Sequence, residues 1–187
     1  MLEKHMKNKI FVLLFLFLAC GALAFAQTKR LEAVKQVSWI TYKLTHPLHE
    51  VESTSKEATC YIDADVSGKQ IKAVAVQVSV ASFNSGNSNR DSHAMEVVDA
   101  LDYPYARFIS SSVTQNGDSV KAIGKLTFHG VTKDVMILAK ESWSDKMLVL
   151  DGGFNISLTA FKIKRPSLLL IPVNDTLKFT FHQVFNL

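Results

Sequence analysis

EATCYIDADV (Glu57–Val66) sets Ala58, Cys60, Ile62, Ala64 and Val66 on one side of an extended chain, with Glu57, Thr59, Tyr61, Asp63 and Asp65 on the other. Apolar residues recurring at a period of two mark a strand buried on one face. After a turn at Ser67-Gly68-Lys69 the pattern returns in Val74, Val76, Val78 and Val80, with Ala75, Gln77 and Ser79 between them. Two such runs across a glycine-containing turn read as a hairpin.

The same alternation runs outward from this pair. Val120, Ala122, Gly124, Leu126 and Phe128 oppose Lys121, Lys125 and His129. Phe154, Ile156 and Leu158 alternate with Asn155, Ser157 and Thr159, and Leu177, Phe179 and Phe181 with Lys178, Thr180 and His182. The pattern gives eight strands: Ser38–Thr45, Glu57–Val66, Ile71–Phe83, Ala106–Thr114, Ser119–His129, Asp134–Trp143, Met147–Thr159 and Asp175–Phe185. Turns are expected at Asn116-Gly117-Asp118, Gly130, Ser144-Asp145 and Gly152-Gly153. Thr28–Val37 reads as a mixed-charge leader into the first strand. The whole is a meander-like antiparallel design without repeat, low-complexity tract or second domain.

Two segments interrupt the strands. Asn89–Ala100 begins with an N-cap at Asn89 or Asp91 and carries Met95, Val98 and Leu101 at helical spacing, before Pro104 breaks it. Pro166–Ile171 (PSLLLI) has proline at a first-turn position and a run of bulky apolar residues, which suits a short helix or a tight loop folded over an apolar opening. Eight one-sided strands end as a sandwich or as a closed barrel, and a barrel of that size is either filled or holds one small ligand. Alanines, valines, Cys60 and Gly124 face inward early in the chain, and Phe108, Phe128, Phe154, Phe179 and Phe181 later. Small residues on one wall and aromatic ones on the other could enclose a slot for a slender chain. On pattern alone a filled core is the favoured reading, because apolar stripes are usually core.

Asn89-Arg90-Asp91-Ser92-His93, the Asp102-Tyr103-Pro104 break before Phe108, the Gly124–Thr132 run and the Phe154–Phe161 strand resemble the YceI-like family. The likeness spans Trp39 to Phe185. It implies an all-β fold, an eight-stranded antiparallel lipocalin-like β-barrel with one or two short helices. It also implies export, a homodimer, no catalytic residues, and a lengthwise apolar tunnel for a polyisoprenoid or isoprenoid-quinone-like lipid. The candidates for the tunnel wall are then Val76, Val78, Met95, Val98, Phe108, Leu126, Phe128, Phe154, Ile156, Leu158, Leu169, Phe179 and Phe181. Thr45-His46-Pro47-Leu48-His49 departs from the family pattern, where a serine-rich strand is usual.

Met1–Ala26 reads as a cleaved signal peptide rather than fold. Lys4, Lys7 and Lys9 precede the apolar run Ile10–Ala19, and Ala24-Phe25-Ala26 fits a cleavage site before Gln27. An uncleaved anchor would be short for a span of about 20 residues. Lipid attachment at Cys20 fits poorly, because Phe17 stands where leucine is usual. The expected location is therefore the periplasm or outside the cell, with residues 27–187 as one barrel domain. Without Lys4, Lys7, Lys9 and Glu3 the net charge of +4 falls to +2, and no basic block remains to support a nucleic-acid partner. Cys60 is then the sole cysteine, so no internal disulfide forms and the core alone must hold the domain.

Candidates for chemistry are sparse. His46, His49, His93, His129 and His182 would bind a metal such as zinc only if three converged, and Pro47 disfavours helical i,i+3 geometry for the first pair. No metal or other cofactor is expected beyond a bound isoprenoid lipid. Arg90, Asp91 and His93 suggest a triad, but there is no Gly-x-Ser-x-Gly elbow, and neighbours on a helix do not face one another. Fastening the helix or the loop before it is the expected role. Cys60 reads as a small buried hydrophobe. Lys162, Lys164 and Arg165 are either a solvated turn or a contact with anionic headgroups at a membrane surface. The alternatives to a lipid carrier are a lipid-modifying or His-metal enzyme, and a packed barrel that serves as a protein-interaction module.

Overall fold

The computed structural model describes residues 27–187; the leader read over Met1–Ala26 lies outside them. One antiparallel sheet contains β1 (Thr28–Glu32), β2 (Trp39–His46), β3 (His49–Ser55), β4 (Thr59–Asp65), β5 (Gln70–Ser79), β6 (Tyr105–Asn116), β7 (Ser119–Phe128), β8 (Val131–Trp143), β9 (Met147–Ser157) and β12 (Thr176–Asn186). A separate ribbon pairs β10 (Ser167–Leu168) with β11 (Ile171–Pro172). The helix α1 spans Ser88–Val97, and short 3-10 turns follow β5 and β9.

The strand order β1-β4-β5-β6-β7-β8-β9-β12-β2-β3 closes on itself. β1 and β2 are successive halves of one kinked strand, and β3 and β4 are halves of the next. β1 pairs with β4 while β2 pairs with β3, so the two composite strands run side by side. At the first kink Ala33 N donates to Cys60 O and Val34 N to Val184 O, which ties β1 to both neighbours. Past the end of β5, Asn84 exchanges backbone hydrogen bonds with Thr54 of β3. Counted this way the barrel has eight strands, as the alternation predicts, but two of them were read at half length.

The missed halves have a common cause. β3 buries Ser53 and Ser55 instead of aliphatic residues, and β1 buries only Leu31. Neither makes a hydrophobic stripe. Gly152-Gly153 is not a turn but the middle of β9. The ring of Phe181 lies across Gly152, where an added Cβ would stand 2.6 Å from Phe181 Cζ and 2.3 Å from Leu138 O. Gly124 likewise faces the bulge between Ser110 and Ser112 on β6, with an added Cβ 2.2 Å from Ile109 O. Both glycines give room on the inner face.

The helix starts two residues earlier than the predicted caps allow. Asn87 is the N-cap and its side chain accepts from Arg90 N at 3.1 Å. Asp91 instead accepts from Ser85 N at 3.1 and 3.2 Å, and Arg90 Nε donates to Ser85 Oγ at 3.0 Å. These two side chains hold the loop before the helix. His93 reaches only Glu96 within the helix, at 3.7 Å. The chain leaves α1 through Asp99 in the left-handed region (φ 46°), so Leu101 falls outside it and is fully exposed.

Candidate functional site

Inward-facing side chains form two buried clusters. One, at the end closed by β1, gathers Leu31, Ala33, Cys60, Ile62, Ala64, Leu148 and Phe185. The other gathers Phe108, Leu126, Phe128, Ile156, Leu158, Phe161, Ile163 and Leu177. Between and beside them Ile40, Tyr42, Leu44, Val74, Val76, Phe154, Phe179 and Phe181 point inward yet stay only half-buried. They bound a cavity of about 450 Å³. Filled interiors have few voids larger than a water molecule, whereas pockets for small ligands run from about 300 to 1,000 Å³. The barrel is hollow in its middle.

The cavity is long and narrow. On β12 its wall runs from Leu177 through Phe179 and Phe181 to Gln183, while the next inward residue, Phe185, is fully enclosed and makes the floor. Six steps at roughly 3.3 Å per residue give a length of about 20 Å. Tyr42, Phe154 and Phe179 stand on the adjacent strands β2, β9 and β12, where Phe154 and Phe179 stack at 4.9 Å and 10°. Val74, Val76 and Val78 of β5 face them from the far side of the ring. α1 lies along the opening and contributes Met95, Val97 and Val98. Burial raises the Tyr42 hydroxyl above its ordinary value, and pushes the Cys60 thiol up to about 12, which leaves it an inert part of the wall.

Every tunnel-wall candidate named from the sequence lines this cavity except Leu169. Leu169 projects into water at the tip of the β10–β11 ribbon, which replaces the short helix or loop expected over Pro166–Ile171. Leu168 and Pro166 reach the cavity instead. Ile40, Tyr42 and Leu44 of β2 also line the cavity, beyond the candidates that the sequence offers. Their alternation with Thr41, Lys43 and Thr45 was the available signal.

His46 and His129 serve as fasteners. His46 is buried between β2 and the ribbon: its Nδ1 accepts from Leu48 N at 3.1 Å, so Nε2 carries the proton and donates to Ile171 O at 2.9 Å. A second strap joins Asn174 N to Thr45 O at 2.8 Å. His49 sits beside His46 with ring centroids 5.0 Å apart. His129 bridges Phe161 O and Asp99 Oδ2, both at 2.9 Å, and holds the loop after α1 to the turn after β9. His182 bonds Asp151 on the outer face at 2.6 Å.

Comparison with known proteins agrees with this architecture. Residues 31–185 match the YceI-like domain. A "UPF0312 protein" of Pseudomonas savastanoi pv. phaseolicola is 27% identical over 152 residues, covering 76% of this chain and 77% of the relative. One of Pseudomonas putida is 28% identical over 153 residues, covering 76% and 80%. Among solved structures, Burkholderia cenocepacia BcnA superposes with a TM-score of 0.73 at 22% identity, over 81% of this chain and 98% of that one. The Campylobacter jejuni YceI protein gives 0.67 at 22%, over 76% and 88%. A polyisoprenoid binding domain from Saccharophagus degradans gives 0.63 at 10%, over 86% and 99%. An eight-stranded barrel with a hollow apolar middle, matched over nearly all its length by that family's model, makes this chain a member of the YceI-like family.

Proposed function

We propose that the barrel holds an elongated apolar ligand, a polyisoprenoid or isoprenoid-quinone-like lipid, as an exported carrier or sequestering protein. The observation that carries this reading is the row of inward aromatic and aliphatic side chains left half-buried around a cavity about 20 Å long. Each methylene moved from water into such a wall contributes about 0.8 kcal/mol, so a chain binds well without polar recognition. The Saccharophagus degradans domain, described as polyisoprenoid-binding, supports the ligand class. The proposed role is binding rather than catalysis, supported by the family match and the polyisoprenoid-binding neighbour; His46, the buried imidazole at the mouth, has both nitrogens bonded to backbone groups. Homodimer formation, if it accompanies this role, has an apolar outer face available at Ile123, Met136 and Leu138.

Mass spectrometry of an organic extract from gently purified protein tests the reading. A stoichiometric apolar lipid is the expected result, with an intact protein mass that begins at Gln27 if export removes the leader. An empty extract, from protein that also fails to take up a fluorescent apolar probe, would overturn it.

A further inference from the structure

The β10–β11 ribbon stands at the mouth and turns through two residues, Leu169 (φ 52°) and Leu170 (φ 65°). Two consecutive left-handed residues make a hairpin turn of the kind that strongly favours Asn-Gly, and a leucine takes that conformation only against a steric cost. Here the costly backbone also puts apolar surface into water. Leu169 is 76% exposed and Leu170 96%, flanked by Leu168 and Ile171 at 47% and 41%. Leu48, 61% exposed, joins them from the β2–β3 hairpin, because His46 ties that hairpin to Ile171. Five bulky aliphatic side chains therefore crown one corner of the rim, at positions where local structure asks for small or polar residues. Such a conflict between local preference and sequence is expected where a site is functional.

The charged residues on the segment that leads into this crown have one sign. From Thr159 to Val173 the chain carries Lys162, Lys164 and Arg165, all exposed, and no acidic residue. Lys162 and Lys164 make no ion pair among the described residues. Carboxylates close by are engaged elsewhere: Asp99 with His129, Asp175 with Ser157 and Thr159, Glu50 with Lys43. An apolar tip preceded in the chain by Lys162, Lys164 and Arg165, the last also donating to Val173 O at 3.3 Å, matches the interface of an anionic bilayer, where aliphatic side chains enter the acyl boundary and cations meet the headgroups. A soluble protein partner would satisfy the leucines but leave the cations without a common counterpart.

We propose that Leu48 and Leu168–Ile171 dock on an anionic membrane surface, with Lys162, Lys164 and Arg165 on its headgroups. Pro166, Ser167 and Leu168 line both the tip and the cavity, so docking presents the mouth to the acyl phase. That this serves to load or unload an apolar ligand rests on the lipid-binding reading above.

Co-sedimentation of the purified protein with vesicles tests the docking. Vesicles of phosphatidylcholine mixed with phosphatidylglycerol should retain it, more weakly as salt rises, and phosphatidylcholine alone much less. The double variant Leu169→Asn, Leu170→Gly supplies the sequence the turn prefers, so it should fold with an equal or higher melting temperature. It should nonetheless lose at least about tenfold in partitioning, given what burying two leucines contributes. Equal partitioning of that variant, or no retention of the parent on anionic vesicles, overturns the proposal. A parent dimer that the variant converts to monomer also overturns it, since a second copy would then cover the tip. Lipid in the organic extract without vesicle binding sinks the docking alone, and vesicle binding with an empty extract sinks the ligand reading alone.

Discussion

Phe185 and Phe179 lie on the same face of the same strand, yet one is sealed and the other lines open space. Around Phe185 the composite strands offer β1 and β4, whose Leu31, Ala33, Ile62 and Ala64 close over the ring together with Leu148. Around Phe179 they offer β2 and β3. There Tyr42 meets the ring edge-on at 6.4 Å, while the neighbouring inward positions of β3 are Ser53 and Ser55. Those serines are themselves fully buried, and the cavity wall on β3 is His49 and Val51, where the packed end has Ile62 and Ala64 of β4. Alternation thus makes a barrel at both ends, and side-chain volume decides which end is core and which is container.

The largest effect expected from this contrast separates two identical substitutions. Phe185→Ala removes a fully enclosed ring and should cost about 3–5 kcal/mol in urea denaturation. Phe179→Ala removes a half-buried ring from a wall that already borders open space, and should cost under about 2 kcal/mol. The order reverses for ligand: Phe179→Ala should weaken uptake of an apolar probe about tenfold, and Phe185→Ala should leave it nearly unchanged in the folded fraction. Equal destabilisation by the two would mean that the middle of the barrel is packed in solution.

How much of this was legible in the sequence follows from the same distinction. Strand number, inward parity and the strand-borne wall candidates follow from alternation, which depends only on backbone geometry, whereas Met95 and Val98 follow from helical spacing. Hollowness does not, because it depends on how volumes from strands far apart in sequence sum across the ring. β3 was missed because its inward residues are serines, and Gly152-Gly153 resembled a turn because glycine under an aromatic ring and glycine at a reversal look alike without the ring in view. Leu169 was placed in the wall because it sits in an apolar run; the two left-handed residues reverse the chain and turn it outward.

A middle-sized effect is expected where container meets solvent. His46→Ala removes the acceptor for Leu48 N and the donor to Ile171 O. Leaving such part-buried backbone groups unpaired costs roughly 1–3 kcal/mol, most of it local to the ribbon. Limited proteolysis should then cut within Pro166–Val173, and a bound apolar probe should leave faster, while the packed end stays protected from hydrogen exchange. Unchanged proteolysis and an unchanged off-rate would show that the ribbon does not depend on this histidine.

The smallest effect concerns acid, and it compares two turns at opposite ends. At the packed end Asp65 accepts from Gly68 N at 2.9 Å and Ser67 Oγ at 2.7 Å. At the mouth Asp175 accepts from Ser157 Oγ and, at 2.9 Å, from Thr159 N. The backbone N–H of Gly68 and the hydroxyl of Ser157 are the leading causes that hold these two carboxyls below the ordinary carboxylate value. A depressed folded pKa means that the unfolded chain binds the proton first as pH falls. The stabilisation is therefore complete above about pH 4–5 and drains away as pH drops through the folded values. Asp65→Asn and Asp175→Asn should each narrow the stability difference from the parent below about pH 4, with the same sign. Release of an apolar probe should respond to Asp175 alone, because its bonds hold the turn that leads into the ribbon while those of Asp65 hold the sealed end. Acid-accelerated release in Asp65→Asn matching that in Asp175→Asn would mean that the two ends of the barrel loosen as one unit.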